Sequence, residues 1–115
     1  MNCKIKTISV FDKQARKLAK HYPSFRDDLS SFVGELKDNP MMGTDLGGGV
    51  RKVRMSIASK GKGKSGGARV ITYSTDILIH SVEGTVYLLS VYDKSSQSTI
   101  SDKEIKHLIE IVNQN

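Results

Sequence analysis

The chain has one cysteine, two prolines and no tryptophan, and nowhere does it reach the ~18 consecutive apolar residues that a membrane span requires. A lone thiol, Cys3, cannot close an intramolecular disulfide, which fits a reducing compartment. The N-terminal MNCKIKTISVF is charged and then alternating. It lacks the apolar core of a secretion signal, so a cytosolic protein is expected. No repeat is visible and no Pro- or Ser-rich linker divides the 115 residues, so a single domain over residues 1–115 is expected. The histidines, His21, His80 and His107, are spread without ligand spacing, and neither a metal site nor a cofactor is expected. No acid pair stands out for carboxylate catalysis, and no Cys-His signature for nucleophilic catalysis.

The most informative absence is local. Residues 46–74, LGGGVRKVRMSIASKGKGKSGGARVITYS, contain no acidic side chain and seven basic ones: Arg51, Lys52, Arg54, Lys60, Lys62, Lys64 and Arg69. The other 11 basic residues face 12 acidic ones, so the whole excess of a +6 chain sits in this segment. Its pattern is strand, glycine-lysine loop, strand. Such a layout collects cations on one part of the surface, suited to a phosphate backbone or an acidic protein partner. An ordinary solvated lysine loop is the plainer alternative.

The rest of the chain reads as follows. Residues 3–8 alternate as a strand. Ser9 with Asp12 marks a helix start, and Phe11, Ala15, Leu18, Ala19 and Tyr22 repeat at helical spacing until Pro23. Ser24 with Asp27 opens a second helix carrying Phe25, Leu29, Phe32, Val33 and Leu36, which Asn39-Pro40 ends. The two read as a helical hairpin lying on a sheet. Residues 39–49 are expected to be loop, with Met41 and Met42 packed beneath it. Val53, Met55 and Ile57 then share one strand face, with Lys52, Arg54 and Ser56 on the other. A long β-rich run follows from Ala68 to Val82, bent at Thr75-Asp76, with Arg69, Ile71 and Tyr73 on one side. Glu83-Gly84 is expected to turn into TVYLLSVY, whose two apolar faces mark a central strand. Ser101 and Glu104 form a capping box, stapled by Ile100 and Ile105, for a final helix with Leu108, Ile109 and Val112 on its apolar stripe. The expected class is α+β: a small, mostly antiparallel sheet in the order β-α-α-β-β-β-α.

Two phosphate motifs can be set aside. Gly61, Gly63 and Gly66 match G-x-G-x-x-G, and Gly63-Lys64-Ser65 resembles the end of a P-loop. Both mechanisms need the loop to open a helix whose N-terminus holds the phosphate, and here a strand follows. What remains is the cationic cluster and Tyr92-Asp93-Lys94 at the end of a central strand. If that strand lies beside the one bearing Arg69, these residues and the loop lysines meet at one rim.

With the segments FDKQARKLAKHYPS, LKDNP, VRKVRMSIASKGKGKSGGARVITY and VYLLSVYDKSSQSTISDKEI, the chain resembles the RelE/ParE superfamily of toxins over nearly its full length. The similarity is greatest to the HigB-like branch of the RelE ribonucleases of bacterial type II toxin–antitoxin modules. The resemblance implies a RelE-like fold and metal-independent cleavage of mRNA in the ribosomal A site, inhibiting translation, with a cognate antitoxin as partner. It implies that Arg69 binds phosphate or the transition state, that Lys62 and Lys64 contact RNA and take part in proton transfer, and that Lys94 serves the leaving group or a phosphate. Some RelE members carry a tyrosine before the last helix where this chain has Ile100. The substitute here is Tyr92 with Asp93, the tyrosine to stack on a base or orient the 2′-hydroxyl, the aspartate to act as base or to hold Tyr92 or Lys94. Arg51, Lys52, Arg54 and Lys60 complete the RNA-binding set. The antitoxin is expected to lay an acidic or amphipathic segment over the cationic rim or against the last helix. Two other readings stand beside this one: a ParE-like toxin that inhibits DNA gyrase, and a non-catalytic RNA- or ribosome-binding module.

Overall fold

The computed structural model describes residues 2–74, 83–97 and 99–114. Its element order is β1 (Asn2–Thr7), α1 (Ser9–His21), α2 (Phe25–Asp38), β2 (Thr44–Gly47), β3 (Val50–Met55), a 3-10 turn (Ala58–Lys60), the single helical turn α3 (Gly63–Gly66), β4 (Ala68–Ser74), β5 (Glu83–Asp93) and α4 (Asp102–Asn113). The five strands form one sheet in the order β1-β5-β4-β3-β2, parallel between β1 and β5 and antiparallel elsewhere. This is the expected α+β class, with the helical hairpin and the C-terminal helix in place.

Strand β4 lies in the middle, and its first five residues are buried although Arg69 and Thr72 are among them. Both its faces are therefore covered, which is why its pattern is nearly continuous rather than alternating. Phe11, Phe25, Phe32 and Leu36 of the hairpin join Val53, Val70, Leu88 and Val91 of the sheet in one core. Gln14 ties α1 to the sheet directly, its Oε1 accepting from Val91 N (2.9 Å) and Ser90 Oγ (3.1 Å). Helix α4 begins as its capping residues dictate: Glu104 N donates to Ser101 Oγ at 3.1 Å, with Ile100 and Ile105 both buried.

Several expectations need correction. The stretch 39–49 holds a fourth strand after the hairpin, β2, whose four residues are all exposed. Nothing apolar alternates there; pairing with β3 creates the strand, and a turn of Gly47, Gly48 and Gly49, all with positive φ, closes it. Met42 packs against the core, but Met41 stays exposed. The glycine-lysine loop contains the 3-10 turn and α3, though it still runs into a strand, so the phosphate-loop mechanisms remain unsupported. Ser9 and Ser24 make no side-chain cap. Ile8 occupies the first cap position, and Ser24 Oγ instead donates to Asp28 (2.6 Å) and accepts from Ser59 N (2.9 Å). Glu83 and Gly84 belong to β5 rather than to a turn. The bend at Thr75-Asp76, His80 and the run to Val82 lie outside the described residues. No helix among the described residues is long and apolar enough to cross a membrane.

The join between α3 and β4 admits no side chain. A Cβ on Gly67 would stand 2.1 Å from the Met55 carbonyl oxygen and 3.0 Å from Ile57 N, whereas one on Gly34 in α2 would meet nothing within 4 Å. Gly67→Ala is therefore expected to cost about 2–4 kcal/mol in denaturant unfolding through overpacking and backbone displacement. Gly34→Ala, on an exposed helix face, should stabilise by about 0.5–1 kcal/mol.

Candidate functional site

The register places Arg54 opposite Arg69 and Arg69 opposite Tyr92, one row across β3, β4 and β5. Residues in register share a face, so these three side chains stand together, with Lys52 two positions from Arg54 on the same side. Met55, Ala68 and Asp93 form the next row and face the opposite way. The strand pairing that the expected rim required is in place and sets Arg69 beside Tyr92, but Asp93 leaves β5 on the other face and takes Lys60 with it.

Arg69 is only 6 % exposed. Its guanidinium is turned under α3: Nη1 donates to the carbonyls of Lys64 (3.1 Å) and Ala68 (3.2 Å), and Nη2 to that of Ser65 (3.0 Å). Burial, and then the charge of Arg54, lower its pKa from the ordinary value, yet an arginine remains charged at any physiological pH. Carbonyl dipoles thus offset a buried cation, and the same bonds hold the turn that presents Lys64. Tyr92 is also buried, and its hydroxyl has no hydrogen-bond partner among the described residues. Thr99 lies nearby but directs its own hydroxyl to the Ile100 carbonyl (3.5 Å). Burial pushes the Tyr92 hydroxyl above its usual pKa, and the charge of Arg69 only partly offsets this.

Asp93 is the centre of a second cluster. Its carboxylate accepts from Lys60 Nζ (2.6 Å), Tyr22 Oη, Ser95 N (2.9 Å) and Ser95 Oγ (2.7 Å). The Lys60 and Asp93 side chains are both more than nine-tenths buried, and the ammonium also lies 5.6 Å from the Tyr22 ring centre. Burial by itself would raise the Asp93 carboxyl, but the bonds from Lys60, Tyr22 and Ser95 outweigh it and hold the group well below the usual carboxylate range. Such a carboxylate is a poor proton acceptor. It touches neither Tyr92 nor Lys94 through any bond found here. Lys60, in turn, is bound inward and not offered to solvent.

The remaining cations are distributed around this frame. Arg54, Lys62, Lys64 and Lys94 are exposed. Lys64 makes a loose pair with Glu35 (3.8 Å), more than half of each side chain being in solvent, a contact worth little. Lys94 N donates to the Gly67 carbonyl at 3.1 Å, which brings the end of β5 against the α3–β4 join. Arg51 lies on the face opposite Arg54 and pairs with Asp45 of β2 (3.7 Å). The open cationic group is therefore Arg54, Lys62, Lys64 and Lys94 around the buried Arg69 and Tyr92, with Lys52 alongside. Reading the sequence missed Tyr22 and Ser95 as partners of Asp93: Tyr22 lies 71 residues away from it in the chain, and Ser95, two residues on, is an ordinary loop serine.

Over residues 5–114 the chain matches the model of the family described as RelE toxin of RelE / RelB toxin-antitoxin system. It belongs to the RelE toxin family. As a RelE toxin it is one half of a toxin–antitoxin pair, and an antitoxin is its family-defined partner. The sheet, hairpin and terminal helix described above are its scaffold.

The Lys60–Asp93 pair of this toxin lends itself to a cycle of substitutions. Lys60→Met or Asp93→Asn should each cost about 3–5 kcal/mol by leaving a buried charged or polar group without its partner, and the double variant should cost less than their sum. Because the folded Asp93 carboxyl binds its proton more weakly than the unfolded chain does, its contribution is complete above about pH 4 and is lost as pH falls further. Denaturant unfolding of wild type and Asp93→Asn should therefore differ most at neutral pH and converge in acid; a gap that persists in acid would contradict this account.

Proposed function

We propose that this toxin is a ribosome-dependent, metal-independent endoribonuclease of the HigB-like kind, which blocks translation by cutting mRNA in the bacterial cytosol. The observation that carries the reading is the open group of Arg54, Lys62, Lys64 and Lys94 set around the buried Arg69 and Tyr92.

The chemistry required is transesterification. The ribose 2′-oxygen attacks the adjacent phosphorus, the bond from phosphorus to the 5′-oxygen breaks, and a 2′,3′-cyclic phosphate and a 5′-hydroxyl result. One proton leaves the 2′-hydroxyl and one reaches the departing 5′-oxygen. The protein has to orient these groups and offset the charge that develops on the phosphate. In this reading Arg54 and Lys62 hold the RNA backbone, and Lys64 sits at the phosphate and takes part in proton transfer. Lys94 serves the leaving oxygen. Arg69 adds its charge from below and fixes the turn on which Lys64 stands. Tyr92 shapes the floor of the site beside Arg69, its hydroxyl lying beneath the surface. Asp93 and Lys60 act indirectly, by holding the end of β5 to the 3-10 turn that leads into the loop. The half-buried thiol of Cys3 suits a reducing compartment.

Primer extension on translated message, with matched reactions lacking ribosomes, tests the proposal. Cuts are expected only where the message is translated. Lys64→Ala should slow cutting by about 100-fold while ribosome association persists, as for loss of one charge-stabilising group. Arg69→Ala should abolish it, with Arg69→Lys failing to rescue, since one ammonium cannot serve the separate carbonyls that the guanidinium spans. Equal loss of cutting and association across the basic residues would favour a module that only binds RNA. Intact message with inhibited supercoiling would favour gyrase.

A further inference from the structure

The start of α2 breaks a local rule. Ser24 occupies the cap position, where a serine hydroxyl ordinarily accepts from an amide in the first turn of its own helix, yet it makes no such bond. Its backbone is helical rather than extended, which turns the hydroxyl away from that amide. Asp28, one turn further on, also directs its carboxylate out of its own helix. Forgoing a cap weakens a helix, and residues that give up such a local gain are commonly ones with a task elsewhere.

That task lies at the 3-10 turn, 30 and 35 residues further along the chain. Ile57, which precedes the turn, offers no side-chain cap. The first two amides of the turn are met from α2 instead: Ala58 N donates to Asp28 Oδ2 (3.0 Å) and Ser59 N to Ser24 Oγ (2.9 Å). Ser24 Oγ gives its own proton to Asp28 Oδ2 (2.6 Å), and Ser24 N reaches Ser59 Oγ at 3.4 Å. The two serine hydroxyls stand 2.9 Å apart, and with the Ser24 proton committed to Asp28 the donor of that pair is Ser59. These bonds close a ring between two distant segments. Immediately beyond it, Gly61 and Gly63 both have positive φ, with only Lys62 between them. Glycine backbone of this kind holds little shape of its own. The next fixed points are the carbonyls of Lys64 and Ser65, which Arg69 binds. Residues 61–63 are therefore suspended between two anchors.

We propose that Ser24 and Asp28 are positioning residues for the cleavage reaction: through Ala58 and Ser59 they fix the backbone from which Lys62 and Lys64 reach the RNA. The inference rests on the nuclease reading. Neither residue belongs to the cationic group, and neither touches substrate in this account. Two effects of Asp28 oppose one another and can be separated. As an acid beside a cationic loop it weakens the attraction for phosphate, so charge alone predicts faster or tighter variants when it is removed. As an anchor of the loop it predicts slower ones.

The test measures single-turnover cutting of translated message across a range of ribosome concentrations, which separates the rate at saturation from the half-saturating concentration. Ser24→Ala and Asp28→Ala should each lower the saturated rate at least ~10-fold without raising the half-saturating concentration, since a misplacement of about 1 Å can cost about 100-fold. Ser24→Thr, which restores the hydroxyl, should recover most of the rate. Asp27→Ala removes the same charge from the same turn of α2 at an exposed side chain, and should cut as wild type does. Denaturant unfolding checks that each variant is folded at the assay temperature. A rate unchanged or raised in Asp28→Ala would overturn the proposal, as would an equal loss in Asp27→Ala or no recovery in Ser24→Thr. Wild type that leaves translated message intact would overturn the nuclease reading and this proposal with it. Wild type that cuts, with alanine variants that cut equally well, would overturn the positioning role alone.

Discussion

One carboxylate joins parts of the chain that the sequence keeps far apart. Asp93 closes β5 and accepts bonds from Tyr22 at the end of α1, Lys60 of the 3-10 turn and Ser95 of the following loop. Burying both charges is costly, and the arrangement holds because Asp93 accepts further bonds from Tyr22 and Ser95 while Lys60 also reaches Ser95 Oγ at 3.2 Å. With Ser24, Asp28 and Ser59 tying the start of α2 to the same 3-10 turn, the approach to the cationic loop is fixed at its base. The loop is thus anchored before it exposes a single lysine.

The loop's far end is held by a different device. Arg69 lies in the middle strand of the sheet, where a charge has little access to water, and three carbonyls around α3 take the place of solvent. Gly67 lets β3 and the α3–β4 join approach closely, and its carbonyl receives Lys94 N. Lys64 and Lys94 are in this way carried on backbone that is pinned from beneath, although the side chains themselves are exposed. Preorganised charge of this kind suits a reaction whose main demand is to offset negative charge as it forms.

Positive charge is used in two ways across the molecule. Around Arg54 and α3 it surrounds the buried Arg69 and the carbonyls that hold it. Along β1 it flanks apolar side chains at the edge of the sheet. These two settings lie at different strands of the sheet.

Helices α1, α2 and α4, the four longer strands and the concentration of charge were legible in the chain itself, whereas α3 and the 3-10 turn were not. The legible features are local: helical spacing in residues 11–22 and 25–36, alternation in β3, the Ser101–Glu104 pairing, and a run of seven cations with no acid between them. The sequence also brought Arg69 and Tyr92 together conditionally, on strand pairing that the register bears out. Tertiary structure decided the rest. β2 has no pattern of its own and exists because β3 offers it an edge. Lys60 and Lys62 are alike in the sequence, yet one is buried against Asp93 and the other is in solvent, because only one of them arrives where the end of β5 leaves a carboxylate. Asp93 and Tyr92 are neighbours in the chain but point to opposite faces of the sheet. Which of two like residues meets a partner depends on contacts between distant segments, and no local spacing encodes them.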